Sequence, residues 1–143
     1  MSKVVSAILA GVALLALVLY GRRSAAPPIT TAPLRAPVGS PEADAQTLDA
    51  LRDAGADLTK PTEVNYYLYF PTRAAAERAA ASARTPEFTA EVSEGADGET
   101  WLCLATAHMV PSESAIRAAT TRLKALAQSL GGEYDGWEAA VTH

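Results

Sequence analysis

The sequence predicts an α+β plait, one leading helix followed by β-α-β-β-α-β, carried behind an apolar segment and a proline-rich linker. Three observations predict it. Thr62 to Phe70 (TEVNYYLYF) alternates Val64, Tyr66, Leu68 and Phe70 with Asn65, Tyr67 and Tyr69, the period of a half-buried strand. Beyond Ser112, Ile116, Ala119, Leu123, Leu126 and Leu130 recur along one stripe, the period of an amphipathic helix. Phe88 to Ser93 and Trp101 to His108 flank the pair Asp97-Gly98, a pattern that reads as a hairpin.

From the amino terminus, Val4 to Tyr20 is an uncharged run of 17 residues. As a helix rising about 1.5 Å per residue it reaches roughly 25 Å, the short end of a bilayer span. Gly21-Arg22-Arg23 and Pro27 follow it, and they suit a retained transmembrane anchor better than a cleaved signal peptide. Lys3 precedes the run while Arg22, Arg23 and Arg35 follow it, so positive-inside bias places the later residues in the cytoplasm. The expectation is a single-pass membrane protein; export after signal cleavage is the alternative. Residues 24–40 contain four prolines and no apolar period, which predicts a semi-extended linker.

Residues 41–143 make the expected domain. Ser40 is placed to cap a first helix, with Pro41 at its first position, Glu42 in its first turn, Leu48 and Leu51 on one face and Gly55 as its stop. The strand over Thr62 to Phe70 passes through Pro71-Thr72 into an alanine-rich helix, Arg73 to Ala83, with Thr72 as its cap. After the hairpin, Ser112 starts the longest helix. Glu113, Arg117, Arg122 and Lys124 are expected away from its apolar stripe, and Gly131-Gly132 ends it with a left-handed cap. A second Asp-Gly pair, Asp135-Gly136, predicts a tight reversal before a last strand in which Trp137, Ala139 and Val141 alternate. Two right-handed crossovers joined by a hairpin give a ferredoxin-like, four-stranded antiparallel sheet with both crossover helices on one face. The other face is open unless the leading helix or a partner covers it.

Charge divides the chain. All 16 acids lie at or after Glu42, so residues 41–143 hold eight Lys/Arg against sixteen Asp/Glu, a net of −8. Nothing in them forms a nucleophile motif, a P-loop or a dinucleotide fingerprint, so no catalytic residue and no cofactor is expected. Cys103 falls in a strand and is expected to be a buried small hydrophobe. His108 is expected to be a satisfied structural histidine, His143 is terminal, and neither has the spacing of a metal ligand. Glu133, Asp135 and Glu138 crowd the C-terminus, but strict alternation scatters them over different faces as solvated charges. Direct nucleic-acid binding is not expected. Plaits that bind RNA stack bases on aromatics surrounded by Lys and Arg; Tyr67 and Tyr69 offer the aromatics, yet WLCLATAH lacks the basic-aromatic pattern and the net charge repels a polyanion. An acidic domain is matched to a basic protein surface.

Gly132-Glu133-Tyr134-Asp135-Gly136-Trp137, together with VNYYLYFPT, the Trp101 strand and the helices between them, resembles the B-type regulators of ribonuclease E activity. The resemblance covers roughly Asp49 to Val141, and its most specific element is Tyr134-Asp135-Gly136-Trp137. It implies an α/β plait and a non-catalytic role: binding a ribonuclease E-type endoribonuclease and lowering its cleavage of RNA. The chain departs from the family's characterised regulator in its apolar opening and proline linker, and in having His143 directly after the last strand, where that regulator carries an acidic tail. Tyr134, Asp135, Gly136 and Trp137 are the candidate partner-binding residues, because Tyr and Trp join a large apolar body to one polar tip. Core packing by Trp137 and capping of the glycine turn by Tyr134 are the competing roles. A plait that senses a small ligand is the rival function.

Overall fold

The computed structural model describes residues 36–143. The anchor expected over Val4 to Tyr20 and the linker up to Arg35 lie outside them. Among the described residues, no helix is long and apolar enough to cross a membrane. The last residues of the expected linker belong to the fold: Ser40 N donates to Pro37 O at 3.0 Å, and Gly39 is buried.

Helix α1 runs Pro41–Asp53, with Ser40 Oγ accepting from Ala43 N and Leu48 and Leu51 buried. Strand β1 (Thr62–Phe70) buries every second side chain from Thr62 onward. Helix α2 (Arg73–Ala83) is capped by Thr72 and buries only alanines, whose small side chains allow it to lie close to the sheet. Strands β2 (Phe88–Glu94) and β3 (Trp101–Met109) form the hairpin around Asp97-Gly98. Helix α3 (Glu113–Ser129) is capped by Ser112 and followed by Gly131 at φ +72°, the left-handed conformation its sequence called for.

The four strands form one antiparallel sheet in the order β2-β3-β1-β4, where β4 is Glu133–Ala139. The α+β class and the antiparallel pairing agree with the sequence. Helices α2 and α3 pack on one face, α2 over β2 and β3, α3 over β4 and β1. The core lies between that layer and the inward side chains Val64, Tyr66, Leu68 and Phe70 of β1, Cys103 and Ala105 of β3, and Tyr134 and Trp137 of β4. Helix α1 packs on α3. It therefore widens the helical layer and leaves the opposite face of the sheet uncovered among the described residues.

Three local expectations are corrected. The apolar stripe of α3 is completed by Thr120 and Ala127, both fully buried, while Leu126 and Leu130 are only half-buried. Arg117 does not face away from the core; it reaches α1. Asp135-Gly136 is not a reversal. The chain stays extended through both residues, and the strand ends at Ala139 rather than continuing its alternation to Val141.

Pairing with β1 explains the last correction. Leu68 lies opposite Tyr134 and Tyr67 opposite Gly136, so Asp135 is one residue too many and forms a β-bulge. Gly136 absorbs the kink at φ +107°, a conformation that side chains disfavour. An Asp-Gly pair turns the chain only where no neighbouring strand holds it straight, and β1 supplies that hold.

Candidate functional site

The bulge decides which side chains of β4 come together. In a regular strand Tyr134 and Trp137, three apart, point to opposite faces. The extra residue resets the alternation, so both point inward, opposite Leu68 and Tyr66. The same reset brings Glu133 and Glu138, five apart, onto the other face, opposite Tyr69 and Asn65. The scatter of carboxylates expected from strict alternation is thereby overturned.

Inside, Trp137 reaches Asp44 of α1 directly and Tyr134 reaches it through Thr120. Asp44 is 3% exposed and sits at the centre of a polar cluster in an otherwise apolar layer. Trp137 Nε1 donates to its Oδ1 at 3.0 Å, Arg117 Nη1 to its Oδ2 at 2.7 Å, and Thr120 Oγ1 to its Oδ1 at 3.3 Å. Thr120 Oγ1 and Tyr134 Oη share a further hydrogen bond at 3.4 Å. Arg117 extends the cluster outward by donating from Nη2 to Gly39 O at 3.0 Å. Burial holds the Asp44 carboxyl above its ordinary range, in spite of the bonds from Trp137, Arg117 and Thr120 and the nearby Lys124 charge. Among the described residues no buried side-chain nitrogen or oxygen lacks a partner. The cluster fastens the leading helix to the sheet by specific bonds as well as by Leu48 and Leu51.

The four candidate residues thus divide. Tyr134 is 9% and Trp137 4% exposed, so their rings belong to the core and their polar tips to the Asp44 cluster. Asp135 and Gly136 lie at the surface, on the rim of a groove between α1 and β4. Val38, Asp44, Thr47 and Trp137 also line that groove, which encloses about 190 Å³, below the range of pockets that take drug-sized ligands. Asp44, Arg117 and Thr120 were not singled out in the sequence. Asp44 reads there as an ordinary first-turn acid, and only the tertiary fold brings it to Trp137.

Outside, the open face carries Tyr67 and Tyr69 of β1 beside Leu104 and Leu102 of β3, all half-buried, with Asn65 beside Thr106. Tyr67 Oη donates to Glu138 Oε1 across the β1–β4 pair, and Thr106 Oγ1 donates to Asn65 Oδ1 at 2.7 Å. Asp97 Oδ1 accepts from the amides of Glu99 and Thr100, each at 2.9 Å. Those bonds hold its carboxyl below the usual range. His108 is exposed on this face rather than packed as a structural histidine, while His143 Nδ1 lies 3.0 Å from Gly55 O. Cys103 is buried, which pushes its thiol up to about 11. No group of three or more His, Cys, Asp or Glu among the described residues is placed to hold a metal ion.

The family model described as Regulator of ribonuclease activity B matches residues 41–139. That span runs from the first residue of α1 to the last of β4. No curated protein matches the chain.

Proposed function

The chain belongs to the regulator of ribonuclease activity B family, and from that membership we propose that it is a non-catalytic, protein-binding regulator of a ribonuclease E-type endoribonuclease. The observation that carries the reading is that the family match covers every helix and strand of the described fold, so the resemblance is to a whole domain and not to one motif. The chemistry of the surface supports it. The domain is acidic, and an acidic body is steered toward a basic protein and away from RNA. Regulation then acts on the enzyme rather than on its substrate.

The region of Tyr134-Asp135-Gly136-Trp137 is the proposed place of contact. Asp135 and Gly136 present the rim of the α1–β4 groove, Trp137 lines it and bonds Asp44, and Tyr134 lies in the core bonded to Thr120. The domain works from a membrane-tethered position on the cytoplasmic side, with Val4 to Tyr20 as the anchor. Deleting Val4 to Tyr20 should move the protein into the soluble fraction; retention at the membrane in high salt contradicts the anchor.

The regulatory reading is tested with the full chain in a neutral detergent and a purified ribonuclease E-type enzyme cleaving a fluorogenic RNA. The expected result is slower cleavage with rising regulator, and no change in the RNA when the enzyme is omitted. Cleavage at an unchanged rate, with no complex by size-exclusion chromatography, overturns the proposal.

A further inference from the structure

Building on the reading of the chain as a protein-binding regulator, we infer that the open face of the sheet, ending in a recess beside Tyr69, docks an arginine-bearing apolar segment of the protein partner.

The face is two-fold in character. Its centre is a four-side-chain platform in which Tyr67 lies beside Leu104 and Tyr69 beside Leu102 across the β1–β3 pair. No described element packs over it, although these side chains are large and only half-exposed. Its perimeter is acidic. Glu63, Glu91 and Glu133 stand exposed on this side, Glu138 is buried against the Tyr67 hydroxyl, and none of the four strands contains a lysine or arginine. All eight cations of residues 36–143 sit on helices or connecting segments. Apolar platforms with a rim of one sign recognise a segment that is apolar and carries the other sign.

At one end the platform drops into a recess of about 350 Å³, lined by Tyr69, Ala96, Asp97, Thr100, Glu133 and Asp135. Asp97 is fixed and ionised by the two backbone amides it accepts from. The phenol of Tyr69 is pushed up by burial and by the carboxylates of Asp135 and Asp97, which places both charges within its field. A tyrosine ring with carboxylates around it suits a guanidinium better than an ammonium, because the planar group stacks on the ring and offers paired donors to a carboxylate.

Charge also selects against the other occupants. A second copy of this face brings like charges together, and RNA brings phosphates to a surface with no cation on its strands. The tyrosine pair, of the kind that stacks bases in RNA-binding plaits, is here ringed by the wrong sign for them.

The test titrates the full chain in neutral detergent into short fluorescent peptides that alternate leucine with arginine, lysine or glutamate, and into a single-stranded RNA oligonucleotide. Anisotropy at physiological salt gives the affinities. The arginine peptide should bind, the lysine peptide several-fold more weakly, and the glutamate peptide and the RNA not measurably. Tyr69→Ala and Glu133→Lys should each weaken the arginine peptide by about tenfold, the loss of one anchoring contact. Gln128→Ala on the exposed side of α3 should leave it unchanged, and thermal unfolding of each variant separates lost binding from lost fold. Binding unaffected by both face variants, or tight binding of the RNA, overturns the inference. Nuclease inhibition measured on the same preparations keeps the two readings apart. Inhibition preserved in Tyr69→Ala and Glu133→Lys rejects this docking face and leaves the regulator standing; a wild-type protein that neither binds nor inhibits rejects the regulator itself.

Discussion

Replacing Asp44 separates two roles that its environment combines, acceptor and charge. In Asp44→Ala the indole N–H of Trp137 loses its acceptor at a position where the residue is 4% exposed. An orphaned buried donor costs about 1–3 kcal/mol. Arg117 adds little, since its side chain is 30% exposed and keeps Gly39 O and water as partners. The expected loss is about 2–3 kcal/mol, a fall in Tm of roughly 10–20 °C for a domain near this size. Asp44→Asn keeps an amide oxygen for Trp137 and removes only the charge. The raised folded-state pKa says that ionisation of Asp44 opposes folding, so the asparagine should cost less than about 1 kcal/mol at neutral pH. The sign of the pH dependence follows. Stability from Asp44 is fully present below its ordinary value of 3.8 and is lost as pH rises through the raised folded value. Wild type should therefore gain on Asp44→Asn as the solution is acidified. Urea unfolding followed by tryptophan fluorescence, from acid to neutral pH, measures all three proteins. An alanine variant within about 0.5 kcal/mol of wild type, or an asparagine variant as damaging as alanine, refutes the reasoning.

Deleting Asp135 leaves Tyr134 and Trp137 two apart, so a regular strand keeps both inward opposite Leu68 and Tyr66; the bulge should be lost without exposing Trp137, and unshifted tryptophan emission at low denaturant checks it. Gly132→Ala should be poorly tolerated, since a Cβ there meets the Phe70 ring and falls 2.5 Å from Tyr69 O; a loss of about 1–3 kcal/mol or more is expected in chemical unfolding. Gly136→Ala should cost about 1–3 kcal/mol through its φ of +107°, with nothing nearer to the added carbon than Val38 at 3.9 Å, so the loss reports backbone strain alone. Cys103, buried and with its thiol pushed up to about 11, should resist a disulfide reagent in the folded protein and react only at the rate of unfolding.

Much of the fold was readable because its signals are local. Ser40, Thr72 and Ser112 each cap a helix through their own side chains, and the alternation of TEVNYYLYF needs no distant partner to be recognised. The elements that were misread depend on contacts far apart in sequence. Asp135-Gly136 is a turn signal by composition and a bulge only because β1 lies alongside it. Arg117 looks solvated on its own helix and becomes an Asp44 partner because α1, 73 residues earlier, packs there. The candidate residues Tyr134 and Trp137 were visible as unusual aromatics, but the choice between core and surface rested on a register that no local pattern encodes. The gathering of Glu133 and Glu138 beside Tyr67 and Tyr69 followed from the same register.

Among the described residues, confinement of every lysine and arginine to helices and connections has a consequence for how this molecule meets others. Such a body carries a permanent electric dipole across its thickness, and in the field of a charged macromolecule it experiences a torque before any atoms touch. Its attitude on arrival is set at a distance, which raises the fraction of productive collisions. Added electrolyte should slow that capture more than it speeds escape.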